Sequence, residues 1–328
     1  MKCLALFSGG LDSMLAVRVI ADQGIAVHAL NIDVGFGGDP EKTALMRSRA
    51  EAAGASFEVV DVRSRYLREV LFHPKYGYGK HFNPCIDCHG FMFKTALSML
   101  DEFGASFVIS GEVVGQRPMS QRRDAMSQVR KLSGDEEDLV LRPLCAKLLP
   151  PTRPEREGWV NREMLLDISG RGRTRQIELA AKYGFSDYET PAGGCLFTRE
   201  SFAGRIRDFL AHEGEDMSEQ DLQTLRWGRH LRLPNGAKLV IGRDESENEK
   251  LSNLNNPRFI EIEPLNLTGA FVLISASASE DDLALAARLA LTYQKCESGK
   301  EYEVRAGGRV FLASPFPDKA AAKPYFVS

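Results

Sequence analysis

The stretch Ser8-Gly9-Gly10-Leu11-Asp12-Ser13 holds the residue types of an anion site. Glycines let a backbone turn tightly and approach a ligand, and the free N–H groups of a following helix start favour negative charge. Ser8 and Ser13 add hydroxyl donors. Asp12 is the odd member, because a carboxylate beside a phosphate repels it unless a cation stands between. Mg²⁺ together with the phosphate resolves that conflict. A second set of reactive residues is sulfur. Cys85 and Cys88 form a Cys-x-x-Cys after Asn83-Pro84, and Cys195 follows Ala192-Gly193-Gly194. Two thiols at that spacing at a loop-to-helix turn suit metal ligation or dithiol chemistry, and a helix N-terminus favours thiolate. His89 is a candidate fourth ligand, but next to Cys88 on a helix it is expected to point away. Three cysteines are one short of structural zinc, which takes four ligands. They suit a 4Fe–4S cluster with one open iron, or a persulfide and resolving-thiol pair. Cys3, Cys145 and Cys296 have no such neighbours and read as buried core residues.

These residues need elements to hold them. Cys3 to Phe7 is an apolar run that reads as a buried parallel strand, and Met14 to Ile20 has the spacing of a helix on a sheet. Further strands are expected at 25–31, 56–60, 107–110 and 139–141, with helices at 41–53 and 88–103. This rhythm predicts an α/β fold with a doubly wound parallel sheet and ligands at the carboxyl ends of the strands. Prolines 143, 150, 151 and 154 break the rhythm. Helices are then expected at 161–169 and 174–183, and a loop at 189–195. Beyond 201, strands at 238–241, 259–262, 271–275 and 310–313 and a helix at 281–293 predict a second, smaller α+β domain. The expected division is 1–198 and 199–328, with a loose tail at 319–323.

Composition narrows the class. The chain has 328 residues, 43% hydrophobic and 27% charged, with a net charge of −3. That is ordinary for a globular protein and excludes a wholly basic nucleic-acid binder. No apolar run is long enough for a membrane span, and the first residues lack a signal-peptide pattern. Six cysteines do not make a disulfide scaffold, so a reducing cytoplasm is expected. Arginine clusters at 117–130, 153–175 and 226–232, the last with Trp227 and His230, suit local contact with a polyanion.

The pattern Ser-Gly-Gly-x-Asp-Ser resembles the pyrophosphate loop of the PP-loop ATPases, which have a HUP-like fold. Ser110-Gly111-Glu112-Val113-Val114-Gly115-Gln116 through Ser120-Gln121, and Leu141-Arg142-Pro143-Leu144, resemble segments of the 4-thiouridine synthases. The Asn-Pro-Cys entry and the Gly-Gly-Cys are similar to those of the 2-thiouridine-forming tRNA thiolases. The spacing before Ser120-Gln121 is one residue longer than in the synthases. The resemblance implies an ATP-dependent sulfurtransferase that adenylates a uridine oxygen, in tRNA, releases pyrophosphate and installs sulfur from sulfide or a persulfide carrier. Ser8, Gly9, Gly10, Leu11, Asp12 and Ser13 would hold the β- and γ-phosphates with Mg²⁺. Leu30 and Asn31 would hold the adenine. Gly111 and Glu112 would flank the α-phosphate, and Arg117 and Gln121 would orient the acceptor. Asp12, Cys85, Cys88 and Cys195 are the expected catalytic set. Alternatives are a PP-loop ligase with a small-molecule acceptor, or a non-catalytic nucleotide-binding module with structural zinc. The oligomeric state is not legible in the sequence.

Overall fold

The computed structural model describes residues 1–35, 40–188 and 195–327. The chain divides into two compact units, Met1–Gly194 and Cys195–Ser328.

The first unit runs β1 (Lys2–Leu6), α1 (Leu11–Ala21), β2 (Ala26–Asp33), α2 (Pro40–Ala53), β3 (Ala55–Asp61) and a helical turn α3 (Arg63–Tyr66). It continues with α4 (Cys85–Ser98), β4 (Phe107–Ser110), α5 (Arg123–Ser133), β5 (Val140–Leu141), a turn α6 (Arg153–Arg156) and α7 (Thr174–Tyr183). The five strands form one sheet in the order β3-β2-β1-β4-β5, with every pairing parallel. Side chains alternate across a strand. Cys3 and Ala5 of β1, with Phe7 just after it, join a core with residues of α1 and α2, and Leu4 is 0% exposed. Burial of both phases means that both sheet faces are covered, which is why β1 reads as an unbroken apolar run. Strand order reverses between β1 and β4, so the loops after their carboxyl ends flank the crevice where such sheets bind ligands.

The second unit holds α8 (Glu200–Glu213), α9 (Glu219–Arg226), β6 (Arg229–Arg232), β7 (Lys238–Ile241), α10 (Glu245–Ser252), β8 (Phe259–Pro264), β9 (Val272–Ser275), α11 (Glu280–Thr292), β10 (Tyr302–Ala306) and β11 (Arg309–Ala313). Its sheet is antiparallel throughout, in the order β11-β10-β8-β9-β7-β6. α11 places Leu283, Ala286, Ala287 and Ala290 in its core.

Two expectations are corrected. Residues 161–169 form a short 3₁₀ turn at Arg162–Met164, not a helix. The amides of Leu166 and Ile168 bond the carbonyls of Pro143 and Leu144, and Ser169 bridges Val114. Lateral pairing thus takes the groups a helix would need. The tail is not loose: Lys319–Tyr325 is a 3₁₀ helix with Ala322 buried.

Candidate active site

The glycine loop leaves β1 and reaches α1 through Gly10, whose extended backbone (φ −83°, ψ 161°) caps the helix without a side-chain acceptor. The first turn of α1 therefore keeps open amides and the positive end of the helix dipole. Gly9 has φ +75°, and an added Cβ would lie 2.9 Å from Met46 Cγ of α2. Glycine is required there on both counts. Buried Arg49 of α2 supports the loop by donating to the Gly9 carbonyl (3.2 Å) and to Asp187 (2.9 Å). Ser13 turns its hydroxyl inward onto the Gly10 carbonyl at 2.7 Å, so of the two loop serines Ser8 is the exposed one.

β4 ends against this loop. A Cβ on Gly111 would meet the Asp12 carbonyl carbon at 2.5 Å and the Ser13 amide nitrogen at 2.6 Å. The residue after β4 and the first turn of α1 touch backbone to backbone, and a side chain between them would drive them apart.

Between them is a cavity of about 280 Å³. Phe7, Ser8, Asp12 and Ser13 line one side, Leu30, Asn31 and Ile32 another, and His89, Gly111, Glu112, Arg117 and Gln121 the rest. Asn31 is fixed by donating Nδ2 to the Phe7 carbonyl at 3.0 Å. Of the residues expected to hold phosphate, adenine and acceptor, Ser8, Asp12, Ser13, Leu30, Asn31, Gly111, Glu112, Arg117 and Gln121 line this one cavity; Gly9, Gly10 and Leu11 do not, and the Leu11 side chain is buried in the core.

Asp12 has partners that sequence reasoning did not assign. Its Oδ2 accepts from Arg173 at 2.5 Å and from Gln116 at 2.6 Å, and Gln116 is held in turn by fully buried Gln176 at 3.0 Å. Arg173 belonged to a cluster read as polyanion contact; here it neutralises the loop carboxylate. Asp12 Oδ1 is buried without a partner. A single spare carboxylate oxygen beside a phosphate loop fits Mg²⁺, which takes one or two carboxylates plus phosphate oxygens.

Cys85 opens α4, at the position where the helix dipole favours a thiolate. His89 lies one turn on, at the i+4 position of the same helix. The same imidazole pairs Nδ1 with Glu112 Oε1 at 2.7 Å, and Glu112 Oε2 accepts from Arg142 at 2.8 Å. Burial raises the Cys85 pKa, but His89, the Ser120 hydroxyl and the Arg117 charge outweigh it and lower the thiol. Burial lowers His89, yet Cys85 and Glu112 together raise it well above the ordinary range. Burial also raises Glu112, but Arg142 and His89 bring it down to about 2. The arrangement sets a thiol of lowered pKa beside an imidazole of raised pKa, backed by a carboxylate. The i, i+4 spacing of Cys85 and His89 carried this signal. His89 points to Cys85's side of the helix, whatever its adjacency to Cys88. Both oxygens of Glu112 are spoken for, which leaves Gly111 as the closer neighbour for a phosphate.

The remaining cysteines separate. Cys3 and Cys145 are 0% exposed, and burial pushes the Cys145 thiol up to about 11. Cys296 donates to the Leu291 carbonyl at 3.0 Å. Cys88 is half-buried on α4. Cys195 is exposed at the start of the second unit, and the Gly193-Gly194 before it lies outside the described residues. The expected 4Fe–4S ligand set finds no support in the side-chain placement: among the described residues no three His, Cys, Asp or Glu side chains gather to hold a metal. No described helix is long and apolar enough to cross a membrane.

Comparison with known proteins adds to this geometry. Residues 1–137 match the model of the tRNA methyl transferase HUP domain, and residues 228–312 match that of the NFACT protein RNA binding domain. The tRNA-specific 2-thiouridylase MnmA of Petrotoga mobilis is 32% identical over 127 residues, 34% of this chain and 35% of that protein. That of Pelotomaculum thermopropionicum is 23% identical over 285 residues, 76% of this chain and 73% of that protein. The chain thus spans about a third of the first relative's length. Among solved structures, a 4-thiouridine synthetase–RNA complex with bound ATP aligns with a TM-score of 0.43 at 19% identity, covering 61% of this chain and 45% of that one.

Proposed function

From a first unit that belongs to the PP-loop ATPases of the tRNA-thiolation group, we propose that the chain is an ATP-dependent tRNA sulfurtransferase. The open amides at the start of α1 bind the β- and γ-phosphates, and Leu30 to Ile32 receive the adenine. Mg²⁺ at Asp12 Oδ1 would neutralise charge on the departing pyrophosphate. A uridine carbonyl oxygen attacks the α-phosphorus, the bond to the bridging oxygen breaks, and pyrophosphate leaves. Arg117 and Gln121 orient the acceptor at the cavity.

Sulfur then enters through Cys85. A persulfide carrier transfers one sulfur atom to the Cys85 thiolate, releasing its own thiol. The terminal sulfur attacks the activated carbon, and AMP departs with the old oxygen. A second thiol, from Cys88 or Cys195, attacks the Cys85 sulfur, which frees the thiocarbonyl base and leaves a disulfide for an external dithiol to reduce. His89 favours the Cys85 thiolate that accepts the sulfur at the first step. The second unit, whose sequence matches an RNA-binding domain, would hold the tRNA.

The observation that supports this reading most is that His89, which lowers the Cys85 pKa, and Glu112, which pairs with His89, line the same cavity as the glycine loop. The test uses purified chain, tRNA, ATP and a persulfide donor, with pyrophosphate and nucleoside mass readouts. Asp12→Ala should stop pyrophosphate release. Cys85→Ser should keep release and stop thiolation. Thiolation by Cys85→Ser rejects the sulfur route, and stoichiometric iron and sulfide in anaerobically purified protein replaces it with a cluster.

A further inference from the structure

The second unit contains a separate cavity of about 190 Å³, smaller than the nucleotide cavity of the first unit. Phe209, Leu225 and Phe259 supply apolar wall, and His230, Lys238 and Arg258 supply the polar wall. The acids along it are already engaged. Glu213 accepts from Arg232, and Asp221 accepts from Ser218, Asn256 and Arg258.

Two polar groups are not fully used. His230 is 2% exposed, and its Nε2 lies 2.7 Å from the Trp227 carbonyl. A carbonyl can only accept, so Nε2 carries the proton and Nδ1 presents a lone pair. That Nδ1 is buried with no partner. Lys238 is 3% exposed, and its ammonium is paired with Asp208 at 2.5 Å. An ammonium has three donors, so capacity remains on the cavity side. A buried acceptor without a donor costs free energy unless a ligand supplies one.

We propose that this cavity is a pocket for one unstacked nucleobase of a single-stranded RNA segment. An N–H of the base donates to His230 Nδ1, a neighbouring carbonyl or ring nitrogen accepts from Lys238, and the ring lies against Phe209 and Phe259. Every nucleobase offers such a donor beside an acceptor on its edge. Arg258, 37% exposed and 5.7 Å over the Phe209 ring, meets the adjoining phosphate. A base fits the smaller volume where a whole nucleotide does not. The inference rests on the reading of the second unit as the RNA-holding part.

The test measures binding of the full chain to a twelve-residue single-stranded RNA, an abasic strand of the same length, and free nucleosides. RNA should bind about tenfold or more tighter than the abasic strand, the size expected for one stacked base. His230→Phe, which fills the pocket and removes the acceptor, should erase that difference, as should Lys238→Met. A free nucleoside should shift the ring ¹⁵N resonance of His230 in the wild type, a readout that does not depend on either variant folding. Equal affinity for RNA and abasic strand, with an unmoved His230 resonance, overturns the pocket and leaves RNA holding intact; a resident water then satisfies Nδ1. Failure to bind either strand overturns the RNA-holding reading itself.

Discussion

In the proposed reaction Cys85 acts as a nucleophile only to the extent that it is ionised, and His89, the Ser120 hydroxyl and the Arg117 charge favour that ionisation. His89→Gln takes away the imidazolium. The midpoint of Cys85 alkylation by iodoacetamide against pH should then rise by about one unit or more. An unchanged midpoint would mean that the helix start and Arg117 suffice. The same chain of contacts links stability to pH. The folded His89 pKa stands above its ordinary 6.5, so its stabilisation is complete below pH 6.5 and is lost as pH rises through the folded value. The folded Glu112 pKa, about 2, stands below its ordinary 4.5. Its contribution is present above pH 4.5 and is lost as pH falls toward 2. Urea unfolding should show both losses, each on the order of 1–3 kcal/mol, and His89→Gln should flatten the alkaline limb. Asp12 teaches a related lesson. The sequence shows a carboxylate in need of a cation, but Arg173 lies 161 positions away in the chain, and no local pattern encodes such a contact.

Elements carry the next constraint. Gly111 follows β4 and lies against the backbone of Asp12 and Ser13 in the first turn of α1, so Gly111→Ala should push the strand end and the helix start apart. We expect ATP affinity to fall about tenfold or more, with about 1–3 kcal/mol of stability lost to overpacking. Calorimetry with magnesium and a non-hydrolysable ATP analogue checks this, and near-wild-type affinity would show the loop free to move. This pairing is not legible in the sequence, since Gly111 reads there as one more turn glycine. β1, α1 and α7 are legible, because their apolar spacing and turn residues agree with the fold. The segment 161–169 misleads, since its spacing suits a helix but its amides are claimed by Pro143 and Leu144. The short edge strand β6 carries Arg229, His230 and Arg232, and its charge hides it from a search for apolar runs. The tail shows the converse: it has no strand-like apolar run, yet the Val327 amide bonds the His230 carbonyl at 3.0 Å and Phe326 bridges Leu231. Deleting residues 319–328 should lower the melting temperature of the second unit by several degrees, read by calorimetry.

On the scale of the whole molecule, charge and division bear on how the proposed RNA substrate would be held. A net charge of −3 gives no general attraction to a polyanion, so affinity must come from a few local cations and from base contacts. Salt dependence separates the two. For single strands, log K falls against log salt with a slope of about −0.7 per phosphate neutralised. A shallow slope of about −2 to −3 is expected here, with a sizeable affinity surviving extrapolation to 1 M salt. A steep slope that extrapolates to no binding would make the interaction purely electrostatic and leave base contacts without a role. Because the chain divides at Gly194 and Cys195, the two activities should also divide. A fragment of residues 1–194 should bind ATP with magnesium as the whole chain does, and residues 195–328 should account for the salt-resistant RNA affinity. Thiolation needs both in one chain if the second unit holds the RNA acted on by the first. An equimolar mixture of the fragments should therefore release pyrophosphate far more slowly than the intact protein at the same tRNA concentration, and equal rates would show that the second unit does not hold the substrate.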